Sequence, residues 1–111
     1  MAIKGPDIHL DYGFAYPLRV VGDSTCDWTT GGDHELVFRV GVPGPVEGVV
    51  ATPLIELSLT VTGIRAAAGN VPSGDTELDP GTVYGYHVED VTEGYLVVHG
   101  RCVVERAVGR G

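Results

Sequence analysis

Apolar and polar residues alternate along most of the 111-residue chain. The cleanest run is residues 55–62. Ile55, Leu57, Leu59 and Val61 fall on one side and Glu56, Ser58, Thr60 and Thr62 on the other, which predicts a half-buried strand. Residues 34–42 repeat the pattern, with Leu36, Phe38, Val40 and Val42 inward and Glu35 and Arg39 outward. Shorter strands are expected over 8–16, 18–22 and 46–51, and longer ones over 82–91 and 95–108. Turn signals separate them: Gly31-Gly32, Pro43-Gly44-Pro45, Ser73-Gly74-Asp75 and Asp79-Pro80-Gly81. No segment sustains a 3.6-residue period, and Arg65 to Ala68 has room for one helical turn only. About seven strands in one short chain predict an all-β, single-domain fold over 1–111, an antiparallel β-sandwich or small β-barrel. Residues 1–17 read as an N-terminal strand or arm, and 22–33 and 63–81 as two long loops.

The C-terminal hairpin can be read in register. Thr92-Glu93-Gly94 fits a three-residue loop closed by Gly94 in the left-handed region. Pairing Val91 with Tyr95 sets Val83 against Val103, Tyr86 against Gly100 and His87 against His99. Tyr84, Tyr86, Val88, Leu96, Val98, Cys102 and Val104 then share an apolar face. Val83, His87, Glu89, Val97, His99, Arg101 and Glu105 share the other, and a slip by one residue mixes the two sets. Tyr86 is placed to cover the bare backbone of Gly100.

Composition narrows the picture. Seventeen glycines and seven prolines stop short of the level that signals low complexity, and the glycines lack the period of three of collagen. They read as the punctuation of a turn-rich domain. The net charge of −8 opposes a phosphate backbone. Arg101, Arg106 and Arg110 are spread out and interleaved with Glu105, so no nucleic-acid partner is expected. The first residues carry no apolar signal-peptide core, and no apolar run reaches the roughly 18 residues of a membrane span. The expectation is a soluble product of the cytoplasm with no membrane partner. Cys26 and Cys102 lack metal-binding spacing. Two reduced thiols are expected, a Cys26–Cys102 disulfide being the alternative.

His87, Glu89 and His99 form the sharpest chemical constellation. Two histidines across neighbouring strands, with a carboxylate on the same face, suit a divalent metal. The plainer reading is a polar strand face with two exposed histidines. Gly81, His87, Glu89, Glu93 and Gly100 also keep the spacing of the first motif of the cupin family, with Glu89 in place of the second histidine. The stretch resembles that motif over 20 residues. The resemblance implies a metal-binding β-barrel enzyme with His87, Glu89 and Glu93 as ligands. The family's second motif has no counterpart in the 11 residues after Gly100. Asp23, Asp27 and Asp33 lack calcium-loop alternation and read as turn residues. Tyr12, Phe14 and Tyr16 share a strand face, and with Trp28 they are the candidate partner contacts. Trp28 in such a loop more often anchors it on the core, and the aromatic strand suits an edge strand on the core as well as a partner. Neither a nucleophile elbow nor a phosphate loop occurs.

Small size, an all-β pattern, an aromatic N-terminal strand, long loops and the lack of a catalytic motif predict a non-enzymatic assembly domain without a cofactor. Its expected partners are proteins, above all copies of itself. A bacteriophage virion component, a capsid decoration or tail-type protein, is the concrete form. The alternatives are the cupin-like metal enzyme and a glycan- or ligand-binding module.

Overall fold

The computed structural model describes residues 3–12, 15–71 and 78–106, with the side chains of Ile3, Tyr12 and Arg106 outside that description. Among the described residues eight strands form: β1 (Ile3–Lys4), β2 (Ile8–Tyr12), β3 (Tyr16–Val21), β4 (Leu36–Pro43), β5 (Val50–Gly63), β6 (Ala66–Val71), β7 (Val83–Asp90) and β8 (Tyr95–Arg106). They make one sheet in the order β1-β8-β7-β4-β5-β6-β3, with β2 also on β8. β5 is the long element that turns the sheet on itself. Its residues up to Leu59 pair with β4, and Thr60 to Gly63 pair with β6. The result is an all-β, nearly closed barrel. A seam remains between β3 and the β1–β8 edge, where Tyr16, Leu18 and Val20 face Ile8 and Val98 across a shallow cavity. No helix forms among the described residues, so none is long and apolar enough to cross a membrane.

The core follows the alternation. Leu36, Phe38 and Val40 of β4 are fully buried beside Tyr86 and Val88 of β7 and Cys102 and Val104 of β8. The Phe38 and Tyr86 rings lie 5.8 Å apart and tilted, which favours an aromatic pair beyond its area burial. The hairpin register holds from Val83↔Val103 to Val88↔Val98. Beyond it the pairing shifts to Glu89↔Leu96 and Asp90↔Tyr95. Val97 is the extra residue of a bulge, and it points inward instead of sharing the polar face. The loop therefore has four residues, 91–94, closed by the Gly94 N–H on the Asp90 carbonyl at 2.7 Å, with Gly94 at φ +76°.

Three further expectations are revised. The antiparallel pattern stops at the N-terminus, where β1 and β2 both run parallel to β8. Parallel neighbours need a long crossover, and here the rest of the barrel supplies it. Ile8 and Leu10 extend the core under this arm, while Asp7 bonds Arg101 at 2.6 Å and His9 bonds Glu105 at 2.6 Å. The segment 63–81 is not all loop, because Ala66 to Val71 pairs with both β5 and β3. Ala67 and Val71 are its buried positions, and small side chains hid the period. Residues 72–77 lie outside the described residues. Residues 46–49 form the β4–β5 connection, and strand pairing starts at Val50.

Candidate functional site

A cavity of about 570 Å³ opens at the seam, within the range of small-molecule sites. One wall is apolar, made by Val21 and by Leu96, Val97 and Val98 of β8. The other is the loop 22–35, which brings Asp23, Cys26, Asp27 and His34, while Glu93 and Tyr95 come from the hairpin. The loop owes its shape to two successive Asp-x-Thr turns. Asp23 accepts bonds from the Thr25 amide and hydroxyl, and Asp27 accepts them from the Thr29 amide at 3.0 Å and hydroxyl at 2.8 Å. The hydroxyls of Thr30 and Thr29 hold the Asp27 carboxyl down at about 2. The turn reading of these aspartates is the one the structure bears out.

His34 ties this loop to the hairpin. Its side chain is 4 % exposed and that of Asp90 is 0 % exposed. His34 Nδ1 lies 2.9 Å from Asp90 Oδ2, and Nε2 lies 3.1 Å from the Thr30 carbonyl. A carbonyl and a carboxylate accept only, so the arrangement suits a ring that donates from both nitrogens. Glu93 Oε1 approaches Nε2 at 3.9 Å and its backbone N–H donates to Asp90 Oδ1 at 3.1 Å. The bond to Asp90 raises the His34 pKa above its ordinary value, and the bond to Thr30 works in the same direction. Sequence reasoning missed this pair, although one signal was there: Asp90 continues the inward series Tyr84, Tyr86, Val88. A carboxylate in phase with the core needs a buried partner.

The predicted metal constellation is arranged differently. His87 and His99 do face each other across β7 and β8, and each ring meets the segment 48–50. His87 is buried, and its Nδ1 accepts the Val50 N–H at 3.0 Å. That leaves the ring proton on Nε2, 3.9 Å from Glu89 Oε1. Burial lowers the His87 pKa, and the Arg39 guanidinium, 3.3 Å away, adds to the effect. Arg39 itself bridges Glu56 and Glu89, each at 2.6 Å. His99 packs against Gly48, where a Cβ would come within 2.8 Å of the ring. Glu93, third in the cupin-like set, stands at His34 on the hairpin end. Among the described residues no group of three His, Cys, Asp or Glu side chains converges as a metal site.

Of the candidate partner contacts, Trp28 is fully buried and takes the anchoring role, so it is not a surface contact. Its N–H donates to the Ile64 carbonyl at 2.8 Å and its Nε1–H to Tyr95 Oη at 3.3 Å. Tyr16 is half-buried against the core. The side chain of Tyr12 and all of Phe14 lie outside the described residues. Both cysteines are free thiols. Cys102 is sealed in the core, where burial pushes its pKa up to about 12, and Cys26 lines the cleft 3.8 Å from Tyr95 Oη.

Among the described residues, the large exposed apolar side chains are gathered at the two ends of the barrel. Val21, Ile64, Val91 and Tyr95 surround the hairpin end, formed by the loop 22–35 and the turns 64–65 and 91–94. Val42, Val46 and Val83 surround the opposite end, formed by the connection 44–49 and the turn before β7. A groove of about 260 Å³ runs beneath the connection 44–49, lined by Pro43, Val49, Val83, Lys4 and Arg101. No family model, no curated protein and no solved structure matches this chain.

Proposed function

We propose that this chain is a non-enzymatic assembly domain that joins copies of itself into a larger particle, with a virion component as the concrete form. One observation carries the reading: among the described residues, the large exposed apolar side chains sit only at the barrel's two ends. Apolar side chains scattered singly need no explanation, but clusters ringed by polar residues mark interaction sites. Two such ends on one small barrel suit a repeating contact. The flanks carry polar groups already satisfied within the chain, such as Arg39 with Glu56 and Glu89.

The metal-enzyme alternative has less support, since His87 Nδ1 already accepts from Val50 and Glu93 is turned to His34. Light scattering during size exclusion, over a concentration series, tests the assembly reading. The expected result is a mass that rises above the single chain. A strict monomer at the highest concentrations overturns it.

A further inference from the structure

We infer that the seam between β3 and β8 takes up one extended segment of another protein, apolar at alternate positions and basic at its N-terminal end, added to β3 as an antiparallel strand. β3 is the last strand of the sheet, and among the described residues only β6 pairs with it. The Gly22 N–H bonds the Arg65 carbonyl at 2.8 Å, and the ladder continues from Val21↔Ala66. Leu18, Val20 and Gly22 therefore turn their backbone groups to β6, while Arg19 and Val21 turn theirs to the open edge. Pro17 offers only a carbonyl there. An open edge of this kind is a template for an added strand.

The space beside this edge is continuous. Two cavities, of about 570 and 220 Å³, share Val21 and Val98 and follow β3 from Gly22 back to Tyr16. Beside Leu18 and Val20 the floor is apolar, made by Ile8, Tyr86, Val88 and Val98. It suits a strand with an apolar side chain at every second position. Charge sets the direction. At the Val21 end Asp23, Asp27 and Glu93 line the cavity, and among the described residues no Lys or Arg does. Arg65 lies in the adjoining turn, and His34 is already bonded to Asp90. At the other end Arg19 lines the seam, and Asp7 is already bonded to Arg101. A basic group is therefore favoured at the Val21 end and opposed by Arg19 at the other. In an antiparallel partner of β3 the Val21 end meets the N-terminal part of the added segment. That segment runs parallel to β8, as β1 and β2 already do.

The probe is a short, capped, fluorescent peptide in which valine alternates first with lysine and then with threonine, titrated into the full chain by anisotropy. Its binding should slow amide exchange at Arg19 and Val21 and leave β7 unchanged. A peptide with glutamate in place of lysine should bind at least about tenfold more weakly. N-methylation of alternate residues, in at least one of the two phases, should abolish binding, because an added strand bonds β3 through every second residue. In the double variant Asp27→Asn, Glu93→Gln the preference for lysine should shrink, the Asn carbonyl keeping the turn. No binding of the lysine peptide, equal binding of the glutamate peptide, or binding that survives N-methylation in both phases overturns the inference. So does protection of Arg19 and Val21 that rises with protein concentration when no peptide is present, because a second copy then fills the seam. That last result leaves the assembly reading standing. A strict monomer that binds the lysine peptide removes the assembly reading and supports this one.

Discussion

The Tyr86 ring fills the space above Gly100: a Cβ on Gly100 would lie 2.7 Å from Tyr86 Cε2 and 2.9 Å from Cζ. The ring has no easy retreat. It is buried, and its hydroxyl donates to the Pro6 carbonyl at 2.7 Å. Gly100→Ala is therefore an overpacking change, expected to destabilise the fold by about 1–3 kcal/mol in urea unfolding. Tyr86→Phe keeps the packing and loses one hydrogen bond, worth about 1 kcal/mol. Its distinctive effect is on the arm. Amide exchange at Gly5, whose N–H bonds the His99 carbonyl at 2.7 Å, should quicken more than exchange in β4. Unchanged stability in Gly100→Ala would show that the ring is free to move.

Two buried histidines pull stability in opposite directions with pH. The Asp90 bond raises the His34 pKa, so the folded state binds its proton more tightly than the unfolded chain. That contribution is complete below the unfolded value of about 6.5 and is lost as pH rises through the folded pKa. Burial lowers the His87 pKa, so its contribution is present above about 6.5 and is lost as pH falls toward the folded pKa. Thermal unfolding should show a stability maximum near neutral pH. His34→Gln should flatten the alkaline limb and leave the acid one, and His87→Gln should do the reverse. An alkaline limb that survives in His34→Gln would show that the His34–Asp90 bond is not its source.

Much of this architecture is written in period-two alternation, and what escaped the sequence did so for identifiable reasons. The β7–β8 register follows from which residues must share a face, and Gly100 under Tyr86 follows from the register. Strand β6 escaped because Ala66, Ala67 and Ala68 alternate in burial but not in chemistry. The bulge at Val97 escaped because two alternating registers differ only in which valine turns inward. Parallel docking of β1 and β2 on β8 joins residues more than 90 positions apart, a distance at which alternation is silent. Of the candidate site, the Asp-x-Thr turns were legible, since they are local. His34 with Asp90 spans 56 positions and shows in the sequence only as a misplaced carboxylate.

Trp28 is the anchor of the cleft's polar wall. It is fully buried, and His34 N–H also donates to its carbonyl at 2.8 Å. Trp28→Ala should destabilise the protein by about 3–5 kcal/mol. Trp28→Phe should lose less, keeping most of the packing but dropping the bond to Tyr95. As the chain's single tryptophan, Trp28 also reports on its own surroundings. Short-wavelength emission and weak quenching by iodide are expected in the native state. Strong quenching would mean that the ring leaves the core and the loop 22–35 is not held as described.

The link between Arg39 and His87 gives a prediction that structure alone does not trivially ensure. The guanidinium bonds Glu56 and Glu89 at 2.6 Å each, and its Nη1 stands 3.3 Å from His87 Nε2. In Arg39→Met the cation is gone while the stem's packing is kept. Glu89 then faces His87 without its guanidinium partner. The His87 pKa, lowered first by burial and next by Arg39, should rise, although burial continues to hold it down. NMR titration of the His87 imidazole resonances reads this directly. Stability at neutral pH should also fall, because two carboxylates lose their counter-charge at once. A His87 titration that does not move in Arg39→Met would mean that burial alone sets it.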